Sequence, residues 1–220
     1  MKKFLVISLF LIFVILISGC AKPQEVSQVP VPTTPEVEGK VSEVPKAVVL
    51  TTFESGDVEG WQPRGSGVKI TVTDKEAHAG KFSLYIEGRS ADWHGAQIPL
   101  KNILKPGKTY SISIWVFQNS GSDQNMGLTM QRKYNTDGST QYNWIKHGVV
   151  PSGKWVEFAG TYSIPADVSV EELTLYVEVP GNVTLSFYID DLVITEGKTG
   201  FKITPELYDL FAKYYKDYLD

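Results

Sequence analysis

The sequence predicts an all-β protein, an antiparallel sandwich of about ten strands, and three observations carry that prediction. From Ala47 to Thr195, short runs rich in β-branched and aromatic residues follow one another at strand-and-turn spacing. Gly, Pro, Asn, Asp and Ser punctuate them, as in KPGK, NTDGST, PSGK, PADVS and PGN. No strong helical period appears before residue 204, so the crossover helices of a parallel sheet are missing.

In order, the expected strands are VVLTTF, VKITVT, FSLYIEG, GAQIPL, TYSISIWVFQ, MGLTMQ, TQYNWIKH, WVEFAGTYSI, LTLYVEV and VTLSFYIDDLVIT. A chain of 220 residues, 42% hydrophobic and 12% aromatic, fills one core and leaves little for a second. Its 21 Lys and Arg against 25 Asp and Glu form no basic block, which argues against nucleic acid as a partner. One cysteine rules out an internal disulfide and a Cys-based zinc site. The scattered His78, His94 and His147 argue against a transition-metal centre.

The segments before the strands read differently. Lys2 and Lys3 precede an apolar run from Phe4 to Ile17 broken only by Ser8, then Ser18, Gly19 and Cys20. A positive flank, a short apolar stretch and small residues make residues 1–19 a secretory signal peptide, too short for a comfortable membrane span. The ending ISGC resembles a bacterial lipobox, which implies cleavage before Cys20, lipidation of Cys20, and a mature protein anchored to the cell membrane facing outward. Residues 20–46, with prolines at 23, 30, 32, 35 and 45, bury too little apolar surface to fold and read as a linker. As a polyproline-like chain at roughly 3 Å per residue it reaches about 80 Å.

Residues 47–196 are the expected sandwich, and one strand shows its faces. In EELTLYVEVPG, Leu173, Leu175, Val177 and Val179 are aliphatic, while Thr174, Tyr176 and Glu178 alternate with them. Strand side chains point to opposite faces with period two, so the aliphatic set belongs to the core. Tyr176 and Glu178 then lie side by side on the outer face, as solvated decoration or as a sugar contact. A pyranose stacks its C–H face on an aromatic ring and offers hydroxyls to a carboxylate. Trp93 lies in a polar, Gly-containing turn with few apolar neighbours and is expected to be at least partly exposed. Tyr142 and Trp144 share a face that periodicity assigns to neither core nor cleft. Trp61, Trp115 and Trp155 sit among strand-like apolar residues and are expected to be structural.

Six motifs, FESGDVEGWQPRG, AHAGKFSLYIEGRSADWHGAQIPL, LKPGKTYSISIWV, LTMQRK, VPSGKWVEFAGTYSIPADVSVEELTLYVE and FYIDDLVI, occur in order between about residues 50 and 195. Together they resemble a family 22 carbohydrate-binding module of the kind attached to bacterial xylanases. The resemblance implies a jelly-roll sandwich of the galactose-binding-like type whose concave face takes xylan or xylo-oligosaccharides, with mixed-linkage β-glucan a further ligand. It implies Trp93 and Tyr142 as stacking rings, Tyr176 and Glu178 on the cleft floor, and Arg64 as a hydrogen-bonding base. The loop YNTDGSTQYNW also admits a register in which Tyr134 is the stacking ring. A structural Ca²⁺ site is implied as well, at Glu54 near the first strand and Asp190 with Asp191 on the last, backbone carbonyls near Gly80 and Lys81 completing the shell. Which aspartate is the main ligand stays open, and solvated acidic turns are the alternative.

Catalysis is the competing reading. Glycoside hydrolysis needs two facing carboxylates, and of Glu157, Glu178, Asp190 and Asp191 only Glu178 is placed on the presumed cleft. No GxSxG elbow occurs and the histidines have no evident carboxylate partner, so the chain is expected to be non-catalytic. Residues 197–220 read as a linker and an amphipathic helix. Thr204 caps it, Pro205 opens it, and Leu207, Leu210, Phe211, Tyr214, Tyr215, Tyr218 and Leu219 repeat at helical spacing. The stretch LYDLFAKYYKDYLD resembles the opening helix of family 10 xylanase catalytic domains, which implies a xylanase as partner or a truncated or split xylanase. A protein-interaction or stabilising lipoprotein with no sugar site is the third reading.

Overall fold

The computed structural model describes residues 47–198. The signal peptide, Cys20, the proline-rich linker and the C-terminal helix expected from the sequence lie outside the described residues. Within them the chain forms strands β1 (Ala47–Thr51), β2 (Gln62–Arg64), β3 (Lys69–Thr73), β4 (Ser83–Glu87), β5 (Gly95–Pro99) and β6 (Thr109–Phe117), followed by β7 (Gln124–Tyr134), β8 (Thr140–Val150), β9 (Val156–Ser163), β10 (Val170–Glu178) and β11 (Phe187–Glu196).

Two antiparallel sheets result, as the strand-and-turn pattern predicts. One runs β3-β4-β11-β6-β9 with β1 also on β11, and the other runs β2-β5-β10-β7-β8. The additional strand is β2, three residues with Pro63 at its centre. Proline cannot donate to a ladder, so β2 is confined to a sheet edge, and too few residues alternate for periodicity to reveal it. Side chains from both sheets fill one core, with Trp61, Phe53, Phe158, Phe187, Leu84 and Ile114 among its fully buried members. The Trp61 indole N–H still finds an acceptor, Thr51 Oγ1 at 3.0 Å.

Strand β11 carries an irregularity that matters below. Its first half pairs with β4 through Phe187, Tyr188 and Ile189, and its second half pairs with β1 from Leu192 to Thr195. Asp190 and Asp191 fall at the gap, where the register against β6 shifts and Asp191 adopts φ 47°. His78 from the loop between β3 and β4 fills that gap. Its backbone N–H donates to Asp190 Oδ2 at 2.9 Å, and its Nδ1 lies 2.7 Å from Asp191 Oδ2. This corrects the sequence expectation that no histidine has a carboxylate partner.

Candidate functional site

The outer face of the five-stranded sheet is built by the alternation read from β10. Leu173, Leu175, Val177 and Val179 are buried in the core, and Tyr176 and Glu178 point the other way. Their cross-strand neighbours extend the same face. Tyr176 lies between Gln97 of β5 and Thr129 of β7, and Glu178 lies opposite Gly127. On β8, Tyr142 stands opposite Gln131 and Trp144 opposite Thr129. A register shift between Leu128 and Thr129 makes Ile145 an extra residue, which brings His147 to the same side as Trp144.

These strands floor a groove of about 580 Å³. Arg64, Trp93, Tyr142, Tyr176 and Glu178, the five residues expected from the sequence, all line it. Trp144, Asp92 and Pro180 complete the lining. Three rings stand open to solvent, with Trp93 49%, Tyr142 59% and Trp144 63% exposed. The floor differs from expectation. Tyr176 and Glu178 keep the predicted parity but are only 2% and 8% exposed, because other side chains of the site cover them.

Arg64 covers Tyr176. Its guanidinium carbon sits 3.8 Å from the Tyr176 ring centroid and 5.6 Å from that of Trp93, a cation held over one aromatic face and beside a second. Its two terminal nitrogens donate to Gln97 Oε1 at 2.9 Å and Gln131 Oε1 at 2.8 Å, so neighbouring strands fix its plane. Burial, reinforced by the charge of Glu178, pushes the Tyr176 phenol up to about 12, which keeps it a neutral hydroxyl.

Glu178 is the acceptor at the centre. Its Oε1 receives the Thr129 hydroxyl at 2.6 Å and the Trp144 indole N–H at 3.1 Å. Trp144 is further braced by His147, whose ring lies parallel to it at 4.5 Å. A Cβ on Gly127 would come 3.3 Å from Glu178 Cγ and 3.6 Å from His147 Cδ2, so a residue without a side chain makes room for this cluster. Trp144 is a groove-lining residue that sequence reasoning left unassigned. Its alternation with Tyr142 was visible, but nothing local shows that this face is the groove and not the core.

Trp93 is held by a buried cation. Arg89 reaches six backbone carbonyls, those of Ala91, Asp92 and His94 in the loop bearing Trp93 and those of Val179, Asn182 and Leu185 in the loop after β10. Burial lowers its pKa to about 10, opposed by Asp92 and Glu178, so it remains charged at neutral pH. Asp92 ties the same loops together, its carbonyl accepting Val179 N–H and its Oδ1 accepting Gly181 N–H, both at 3.1 Å. Gly65 closes the arrangement with φ 104°. A Cβ there would fall 2.2 Å from the His94 ring.

One open alternative narrows and one expectation changes. Tyr134 points away from the groove, on the face of β7 that carries Arg132, where Arg132 and Gln141 hydrogen-bond its hydroxyl. Of the two alternative rings, only Tyr142 lines the groove. Glu178 is also not the lone carboxylate there, since Asp92 joins it from the Trp93 loop.

The residues expected at a calcium site converge on one loop. Glu54 Oε1 accepts the N–H groups of Lys81 and Phe82 at 2.9 and 2.7 Å, so this loop meets Glu54 through its amides and not its carbonyls. Asp190 accepts His78 N–H on Oδ2 and Asp191 N–H on Oδ1. Asp191 Oδ1 is buried and has no hydrogen-bond partner. Burial pushes both aspartates above the usual carboxylate range. Each is raised further by a neighbouring charge, Asp190 by Asp191 and Asp191 by Glu54. Among the described residues no three His, Cys, Asp or Glu side chains gather as a ready metal-ligand set.

A β-sandwich carrying an open groove, with exposed aromatic rings on its walls and a carboxylate and a guanidinium at its floor, has the form of a glycan-binding module. The comparison with known proteins agrees: the chain belongs to the carbohydrate binding domain family, whose match covers residues 46–184. Endo-1,4-beta-xylanase A of Thermotoga neapolitana is 51% identical over 180 residues, 78% of this chain and 17% of that enzyme. Endo-1,4-beta-xylanase A of Thermotoga maritima is 57% identical over 152 residues, 69% of this chain and 14% of the enzyme. The chain thus spans well under a fifth of the length of these relatives. Among solved structures, the CBM22-1 xylan-binding domain of Paenibacillus barcinonensis Xyn10C superposes with a TM-score of 0.64 at 29% identity, covering 71% of this chain and 98% of that domain. The CBM22-1 and GH10 modules of Clostridium thermocellum Xyn10B, complexed with xylohexaose, superpose with a TM-score of 0.62 at 25% identity, covering 70% and 29%.

Proposed function

We propose that this domain binds xylan or xylo-oligosaccharides in the groove on its five-stranded sheet and holds the polysaccharide for hydrolases that act beside it. One observation carries the reading: Arg64, Trp93, Tyr142, Tyr176 and Glu178, drawn from four separate stretches of sequence, line one groove. Xylan-binding domains of similar fold and xylanases of similar sequence support the choice of polysaccharide. Xylose lacks the exocyclic CH₂OH of glucose, so walls that approach both faces of the ring favour xylan over cellulose on steric grounds, with mixed-linkage β-glucan as a second ligand. Two stacked rings, each removing on the order of 100 Å² of apolar area from water, contribute roughly 5 kcal/mol, and each hydrogen bond adds about 1 kcal/mol. After the cost of association, dissociation constants fall at roughly 1 to 100 μM.

The groove is built to bind and not to cleave. Glu178 is buried and bonded to Thr129 and Trp144, and Asp92 ties two loops together, so both carboxylates serve the groove's own hydrogen-bond network. The short share of each xylanase that this chain spans favours association with a xylanase catalytic domain, through the segment 204–219 or on a separate chain. Lipid on Cys20 places the module on the outer side of the cell membrane, where tethering raises local polysaccharide concentration.

A structural Ca²⁺ fits the orphaned Asp191 Oδ1. Asp191, Glu54 and Asp190 would hold it, with backbone carbonyls and water as remaining ligands, since a carboxylate oxygen that accepts one N–H keeps a lone pair for the ion. The ion would supply positive charge to a crowded acidic spot.

Affinity electrophoresis in soluble xylan tests the main reading. Wild type is retarded, and Trp93→Ala and Glu178→Ala migrate as they do without xylan. An unretarded wild type removes the proposal, and release of reducing sugar by the purified protein removes its non-catalytic part.

A further inference from the structure

A second groove, of about 380 Å³, opens on the outer face of the six-stranded sheet, away from the site described above. Tyr85 of β4 and Tyr188 of β11 stand directly opposite one another there, with ring centroids 4.7 Å apart and planes 41° apart. Phe117 of β6 backs the pair, its ring meeting that of Tyr188 edge-on at 5.7 Å. Both tyrosines are half-buried, so each is held by packing and still offers ring surface to solvent.

The rim is polar and uncharged. Asn119, Asn182, Thr184 and Ser186 border the tyrosines, and no Asp, Glu, Lys or Arg lines the groove. Asn182 is pre-set, because its amide nitrogen donates to Gln124 Oε1 at 2.9 Å and its carbonyl accepts from Arg89 at 2.8 Å. Its side-chain oxygen makes no hydrogen bond among the described residues, and the hydroxyls of Tyr85, Tyr188, Thr184 and Ser186 are likewise unused. A rigid aromatic platform ringed by idle neutral donors and acceptors matches a ligand with an apolar face and hydroxyls at its edge. An ion finds no counter-charge in this groove, and a wholly apolar ligand would strand the polar rim.

We infer that the Tyr85 and Tyr188 groove is a second contact for a neutral oligosaccharide, of the same class that the main groove takes. In naming that class the inference rests on the proposed function. The two grooves share one loop, whose Pro180 lines the first and whose Asn182, Thr184 and Ser186 line the second.

Titrating ¹⁵N-labelled full-length protein with xylohexaose while following backbone amide shifts tests this. Two sets of shifts are expected, one around Trp93, Trp144 and Glu178, and one around Tyr85, Asn119, Asn182 and Tyr188 that saturates at higher ligand concentration. Trp93→Ala removes the first set and keeps the second, and Tyr188→Ala does the reverse. The wild-type map stands by itself if Tyr188→Ala fails to fold. Shifts confined to the main groove up to the solubility limit of the sugar overturn the second site alone. So does a second set that vanishes in Trp93→Ala, since it is then relayed through the shared loop. No shift anywhere overturns the xylan reading as well.

Discussion

The guanidinium of Arg64 lies flat against the Tyr176 ring, 3.8 Å from its centroid, so the phenol that the sequence places on the groove floor is roofed by a cation. Arg64, and not Tyr176, therefore faces the ligand from the floor. Arg64→Ala removes a charged donor, worth about 1.5–3 kcal/mol, and weakens xylohexaose binding by roughly tenfold to a hundredfold. Tyr176→Phe keeps the ring under the cation and leaves affinity within about threefold by isothermal titration calorimetry. Equal losses in the two variants would contradict this division of roles.

Trp144 contributes twice, as an exposed ring and as a donor to Glu178. Trp144→Ala is expected to cost about 1–2 kcal/mol of binding energy, and Trp144→Phe about half of that, since the ring returns without its N–H. Unchanged titration isotherms for both variants would remove Trp144 from the site.

Tyr142 and Tyr134 can be told apart directly. Tyr142→Ala should abolish retardation in xylan gels, while Tyr134→Ala, on the other face of β7, should leave it intact and lower stability by about 1 kcal/mol through loss of its hydrogen bonds to Arg132 and Gln141. Reversed outcomes would show that the groove residues are misassigned.

Arg89 is a positioning residue. Arg89→Met leaves six carbonyls of two loops without their shared donor, and a loss of about 3–5 kcal/mol is expected in guanidinium chloride unfolding. Arg89→Lys restores the charge but not the fork. Below its own unfolding midpoint it should stay folded and bind xylohexaose more weakly, because Trp93 loses its fixed orientation.

Calcium should raise the unfolding temperature. At a hundredfold excess over its dissociation constant the ion adds about 2.7 kcal/mol, and Asp191→Asn should abolish that gain. Identical melting curves in Ca²⁺ and in EGTA would leave the orphaned oxygen without this explanation.

Much of this was legible from sequence, for reasons that differ by residue. The parity of Tyr176 and Glu178 followed from the aliphatic run on the opposite face, because a strand's two sides are set by local alternation. The coverage of those two residues was not legible, since Arg64 and Trp144 reach them from strands far off in sequence. Strand β2 escaped because three residues with a central proline carry no period. Asp92 escaped because its approach to the groove depends on Arg89 binding two loops together. Likewise, the pairing of His78 with Asp191 depends on a gap between β1 and β4 that only the sheet order reveals.

Ala47 lies opposite Thr195, so the two ends of the described sandwich leave from one point on its rim. A pull on both ends at once lifts β1 from β11 one hydrogen bond at a time, as tape peels from its leading edge. A pull between one end and a polymer gripped in the groove instead loads the two sheets against each other through their shared interior. How much force the domain withstands therefore depends on which handles are drawn, and the end that faces a tether matters as much as the strength of the grip.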